Sequence, residues 1–74
     1  MAREMKDRDG EGKALGNLGN AYYCLSRYEK AIEYYKQSLA ILQEVKNLKD
    51  QGTLLTDLGD AYYSLNRYEK AVEI

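Results

Sequence analysis

The chain has 74 residues, about half a typical domain, so it holds at most one small domain or part of one. A single cysteine, Cys24, excludes an intramolecular disulfide, and the lack of histidine removes the usual zinc sites and Ser-His or Cys-His nucleophile pairs. Eleven basic residues against twelve acidic ones leave a net charge of -1, which argues against non-specific binding to nucleic acid or a membrane surface. The stretch from Met1 to Lys6 has no apolar core of signal-peptide length, and no apolar run reaches membrane-spanning length. At 45% apolar and 31% charged, the composition suits a folded domain, expected in the cytoplasm.

The dominant feature is an internal repeat. Shifted by forty residues, Gly12 to Tyr23 lies over Gly52 to Tyr63, and Leu25 to Glu33 lies over Leu65 to Glu73. Substitutions between copies are mostly conservative: Asn17 to Asp57, Asn20 to Asp60, Cys24 to Ser64, Ile32 to Val72. Residues 1–9 read as the tail of a preceding unit, 10–49 as one complete unit, and 50–74 as a second unit that is truncated.

Within each unit the period is helical. Leu15, Leu18, Tyr22 and Leu25 share one face, expected to be the core face. After a break at Ser26 and Arg27, the residues Tyr28, Ala31, Ile32, Tyr35, Leu39, Leu42 and Val45 form a second stripe. The breaks here and at Asn66 and Arg67 fit tight helix–helix turns. Asp9 and Asp50 stand where N-caps would start the first helix of each unit. The spacing thus predicts helices over about 10–25, 28–47, 51–65 and from 68 onward, an all-α chain of helical hairpins that must stack to bury their faces. Gly19 recurs as Gly59, and a glycine inside a helix costs about 1 kcal/mol relative to alanine, so a packing role is expected at both positions.

These residues resemble the tetratricopeptide repeat family. Leu15, Leu18, Gly19, Tyr22, Ala31 and Tyr35 occupy its signature positions in the first unit, and Leu55, Leu58, Gly59, Tyr62 and Ala71 do so in the second. The forty-residue period exceeds the usual spacing of about thirty-four residues. With Leu18-Gly19-Asn20-Ala21-Tyr22, it is similar to the longer subtype of the adaptors named for Leu-Gly-Asn repeats and to bacterial arrays. The resemblance implies antiparallel hairpins stacked as a right-handed α-solenoid, whose first helices line a concave groove that holds a peptide or partner protein. It implies a scaffold with no catalysis and no cofactor. The chain departs from the family where Ser26 and Asn66 replace the frequent turn glycine. Gly16 stands where a clamp for a C-terminal carboxylate needs lysine, so no such clamp is expected.

Opposite the expected core face lie Lys13, Asn17, Asn20, Tyr23 and Cys24, matched by Thr53, Asp57, Asp60, Tyr63 and Ser64. Asparagine and aspartate compete for backbone hydrogen bonds inside helices, so their presence here suggests a role for their side chains. Lys13, Asn17, Asn20, Tyr23, Asp57, Asp60 and Tyr63 are the candidate groove residues, the amides fixing a ligand backbone and the tyrosines anchoring it. Asp57 and Asp60 lack the partner base or metal cluster that acid-base chemistry needs. Gly10-Glu11-Gly12-Lys13 reads as a helix start and not a phosphate loop, since Ala14 replaces the required Ser or Thr. The alternative to groove binding is self-association through uncapped ends, where Leu55, Leu58 and Tyr62 would be left partly bare.

Overall fold

The computed structural model describes the backbone of residues 2–73 and the side chains of residues 8–67. Three helices follow one another: α1 over Ala2–Cys24, α2 over Tyr28–Glu44 and α3 over Leu48–Glu73. Helix α2 lies between the other two. Its buried residues Ala31, Ile32, Tyr35 and Leu42 form one core with Leu54, Leu58 and Ala61 of α3.

The α1–α2 contact is built on glycine. Gly12, Gly16 and Gly19 share one face of α1 and meet Ile41, Ser38 and Tyr35 of α2 in turn, which fixes the pair as antiparallel. A Cβ at Gly19 would stand 2.6 Å from the Tyr35 ring and 3.2 Å from the Ala31 carbonyl oxygen. Only glycine allows this approach. The helices come close enough for the buried Ser38 hydroxyl to donate to the Gly12 carbonyl oxygen at 2.5 Å. Tyr22 stacks on Tyr34 with ring centroids 5.4 Å apart, closing one edge of the same interface.

Both turns end a helix in the same way. Ser26 (φ 62°) and Lys46 (φ 60°) adopt the left-handed conformation. Arg27 N–H donates to the Tyr22 carbonyl and Ser26 N–H to Tyr23, both at 2.9 Å. Asn47 N–H to Leu42 (2.9 Å) and Lys46 N–H to Gln43 (3.2 Å) repeat the pattern at the second turn. These paired bonds satisfy helix-end carbonyls in a Schellman arrangement, normally closed by glycine. Asn47 then caps α3: its Oδ1 accepts the Asp50 N–H at 3.2 Å, while its Nδ2 donates to Asp50 Oδ2 at 2.8 Å and to Asp9 Oδ1 at 3.2 Å.

Several expectations are corrected. Asp9 is not an N-cap, because α1 already runs from Ala2; no proline interrupts it, and one exposed glycine, Gly10, is too weak a breaker. Asp50 lies inside α3, whose cap is Asn47, and α2 stops at Glu44 because Lys46 turns left-handed. No break forms at Asn66 and Arg67; α3 continues to Glu73. Neither glycine nor proline stands at or beside Asn66 and Arg67 to stop the helix, and a single asparagine is too weak a breaker. Leu18 and Leu25 are exposed, not core, and Leu58 is buried and not bare, while Leu55 and Tyr62 are exposed as expected. The reason is which side α2 occupies: it covers the Leu58 face of α3 but no helix covers the equivalent Leu18 face of α1. Gly59 has nothing within 4 Å of a built Cβ, so the packing role expected for it is absent. Ala71 lies outside the described side chains.

Gly19→Ala and Gly59→Ala therefore act in opposite directions. The first forces the buried Tyr35 ring aside and should cost about 1–3 kcal/mol. The second gains helix propensity in open space and should add about 1 kcal/mol. Urea unfolding followed by circular dichroism measures both, and equal effects of one sign would contradict the packing described. Relieving the left-handed strain with Ser26→Gly or Lys46→Gly should stabilise the chain by up to about 1 kcal/mol in the same assay.

Candidate peptide-binding groove

An open groove of ≈ 360 Å³ runs between α1 and α3 with α2 as its floor. Lys13, Gly16, Asn17 and Asn20 form the α1 wall, Ser38, Leu42 and Leu54 the floor, and Asp50, Thr53 and Asp57 the α3 wall. Gly16 lets the α1 wall approach the buried floor, where a Cβ would stand 3.3 Å from Ser38 Oγ. The walls differ in chemistry: amides with one lysine face carboxylates across a partly apolar base.

Each polar group has a distinct state. The buried Tyr35 hydroxyl donates to Asn20 Oδ1 at 2.5 Å. That bond orients the Asn20 amide and leaves its Nδ2 without a partner among the described residues, facing outward as a donor. Burial pushes the Tyr35 hydroxyl up to about 12, with the negative charge of Asp57 adding to the shift, so the phenol remains a neutral donor. Asn17 is exposed and makes no side-chain hydrogen bond among the described residues. Lys13 Nζ lies 3.4 Å from Asp9 Oδ2, an exposed helical pair that holds it loosely. Asp57 sits partly buried, and its carboxyl holds its proton more tightly than an ordinary aspartate, first through burial and then through Asp60.

Of the seven groove candidates, the structure brings Lys13, Asn17, Asn20 and Asp57 together. Asp60 lies exposed outside this lining and bears on it through its charge, which adds to the shifts of Asp57 and Tyr35. Tyr23 is engaged elsewhere: its hydroxyl shares a 3.1 Å hydrogen bond with Ser64 Oγ, tying α1 to α3, and its ring meets Tyr28 edge-on at 5.3 Å. Tyr63 is exposed, with the Arg67 guanidinium 5.6 Å above its ring. Asp50 joins the groove although its sequence position suggested a cap. Ser38, Leu42 and Leu54 carry no polar signature that distinguishes a groove floor from core.

Among the described residues no group of three or more Cys, Asp or Glu side chains could hold a metal ion, and no helix is long and apolar enough to cross a membrane. Cys24 is free and exposed. No curated protein and no solved structure matches the chain significantly. The family model of the tetratricopeptide repeat matches residues 10–74. That span covers most of the chain, and the three helices fit a helical repeat: the chain belongs to the tetratricopeptide repeat family.

Proposed function

We propose that the chain is a non-catalytic scaffold segment that holds an extended peptide of a partner protein in the α1–α3 groove. Tetratricopeptide repeats generally mediate protein–protein interaction. The observation that carries the finer reading is the asymmetry of the walls, with Asn17 and the outward Nδ2 of Asn20 on one side and Asp50 and Asp57 on the other. The amides suit a ligand's backbone, and the carboxylates suit a Lys or Arg side chain on it. A cytoplasmic protein partner, and neither nucleic acid nor membrane, fits a net charge of -1. A second reading, self-association, is favoured by the uncovered apolar side chains Leu18, Leu25, Leu55 and Tyr62.

An array of short random peptides tests the first reading, and bound sequences should be enriched in Lys or Arg. For a peptide so identified, the double change Asn17→Ala and Asn20→Ala should weaken binding by roughly tenfold or more, about 1.4 kcal/mol, with helicity largely kept. Unaltered affinity of that double variant removes the groove assignment.

The Asp57 carboxyl gives a second, pH-dependent handle. Its proton affinity is raised in the folded chain, so its contribution to stability is present at low pH and is lost as pH rises through its folded-state value. Binding a cation needs the ionised form, so affinity should fall as pH drops through that same range. Asp57→Asn should therefore stabilise the free chain near neutral pH yet bind the peptide more weakly, with less pH dependence. Calorimetric titration with the peptide over a series of pH values reads the affinity, and thermal unfolding of the free chain over the same series reads the stability.

A further inference from the structure

Helix α3 has three different faces. Leu54, Leu58 and Ala61 pack on α2, and Asp50, Thr53 and Asp57 edge the groove. The third face, turned away from the groove, carries Leu48, Gly52, Leu55, Gly59, Tyr62 and Asn66, spaced alternately by four and three residues. That spacing makes one continuous stripe of the kind by which helices pair. All six residues are exposed, with Leu48 at 77%, Leu55 at 57% and Tyr62 at 46%. A Cβ built at Gly52 or Gly59 meets nothing within 4 Å. The stripe is therefore a row of apolar bumps separated by open holes.

The order of bumps and holes is complementary to itself in one direction. Reversed about the level of Asp57, Leu55 falls opposite Gly59, Tyr62 opposite Gly52 and Leu48 opposite Asn66. One two-fold axis satisfies all three pairings at once, as an isologous interface requires. A parallel pairing would set Leu55 on Leu55 and leave glycine facing glycine as a void. We infer that α3 docks antiparallel against α3 of a second copy of this chain, Leu55 and Tyr62 of each copy entering the glycine holes of the other.

Area and charge agree with this occupant. The stripe is about 27 Å long, from 18 helical steps. A helix pair of that length buries on the order of 1,000 Å² in total, where specific transient interfaces begin. None of the six stripe residues is charged. The axis sets Thr56 beside Thr56 of the second copy, and Lys49 beside its Tyr63, a cation against an aromatic face. This geometry rests on the self-association reading and is independent of groove binding, since the two use opposite faces of α3.

Sedimentation equilibrium up to about 1 mM, where so small an interface becomes populated, should show a monomer–dimer equilibrium that stops at the dimer. Gly59→Gln fills a hole at a position where a Cβ meets nothing within 4 Å. It should keep or raise helicity and weaken the dimer by about tenfold or more. Orientation is read by oxidising a mixture of Leu55→Cys and Gly59→Cys chains, each in a Cys24→Ser background; the mixed disulfide should predominate over either homodimer. The pairing is overturned by a chain that stays monomeric at that concentration, by an undiminished dimer in Gly59→Gln, or by Leu55→Cys cross-linking fastest to itself. A mass that climbs past the dimer equally in parent and variant also overturns it, while leaving self-association through other faces in place.

Discussion

The contact between Gly19 and Tyr35 sets the spacing of the whole fragment. Because α1 offers no side chain at Gly19, the Tyr35 ring fills the gap and draws α2 close along the glycine face. At that distance Ser38 reaches the Gly12 carbonyl, so a hydroxyl that burial would otherwise penalise is satisfied by backbone. The far end of the same tyrosine emerges beside Asn20 and turns its amide outward. Core packing and the orientation of a groove donor are thus two ends of one side chain.

Much of this was legible in the sequence, and the failures share a cause. A repeated residue tells what a complete unit packs; it does not tell which neighbours are present. Gly19 and Gly59 occupy equivalent positions, yet one is pressed by Tyr35 and the other faces open space. Leu18 and Leu58 are equivalent too, and only the second has α2 beside it. The turn at Ser26 forms and its counterpart at Asn66 does not, although asparagine accepts the left-handed conformation more readily than serine. Asn47 was hidden because the apolar period ran on into the turn, and Asp50, also a residue type that caps, stood three places later. In the groove, Asn17, Asn20 and Asp57 announced themselves as polar residues poorly suited to helix interiors. Tyr23 suggested a groove anchor and is instead tied to Ser64, a partner on another helix that its position in the sequence does not reveal. The floor required three helices to be placed before it existed.

Asp57 shows how the site and the fold compete. A carboxyl partly buried beside another carboxyl is a poor choice for stability, and the shift of its proton affinity records that cost. Leu54 and Leu58, which flank it in sequence, are both buried on α2, so Asp57 is held at the groove by the best-packed part of α3. Local rules broken inside an otherwise consistent helix tend to mark function.

Helix α3 is joined to α1 by few direct ties. Among the described residues these are the Tyr23–Ser64 hydroxyl pair near one end and the Asp9–Asn47 bond near the other, while α2 carries the apolar contact. The α1–α2 hairpin, locked by glycine and the Ser38 bond, is the more tightly built half, so partial opening begins with α3 lifting away. Once it lifts, the groove loses a wall and ceases to exist. A peptide bridging Asn20 and Asp57, as proposed above, would therefore act as a clasp: at a hundred times its dissociation constant it would hold α3 down by about 2.7 kcal/mol. Slowed amide exchange along α3, reaching beyond the residues that the peptide touches, would be its trace.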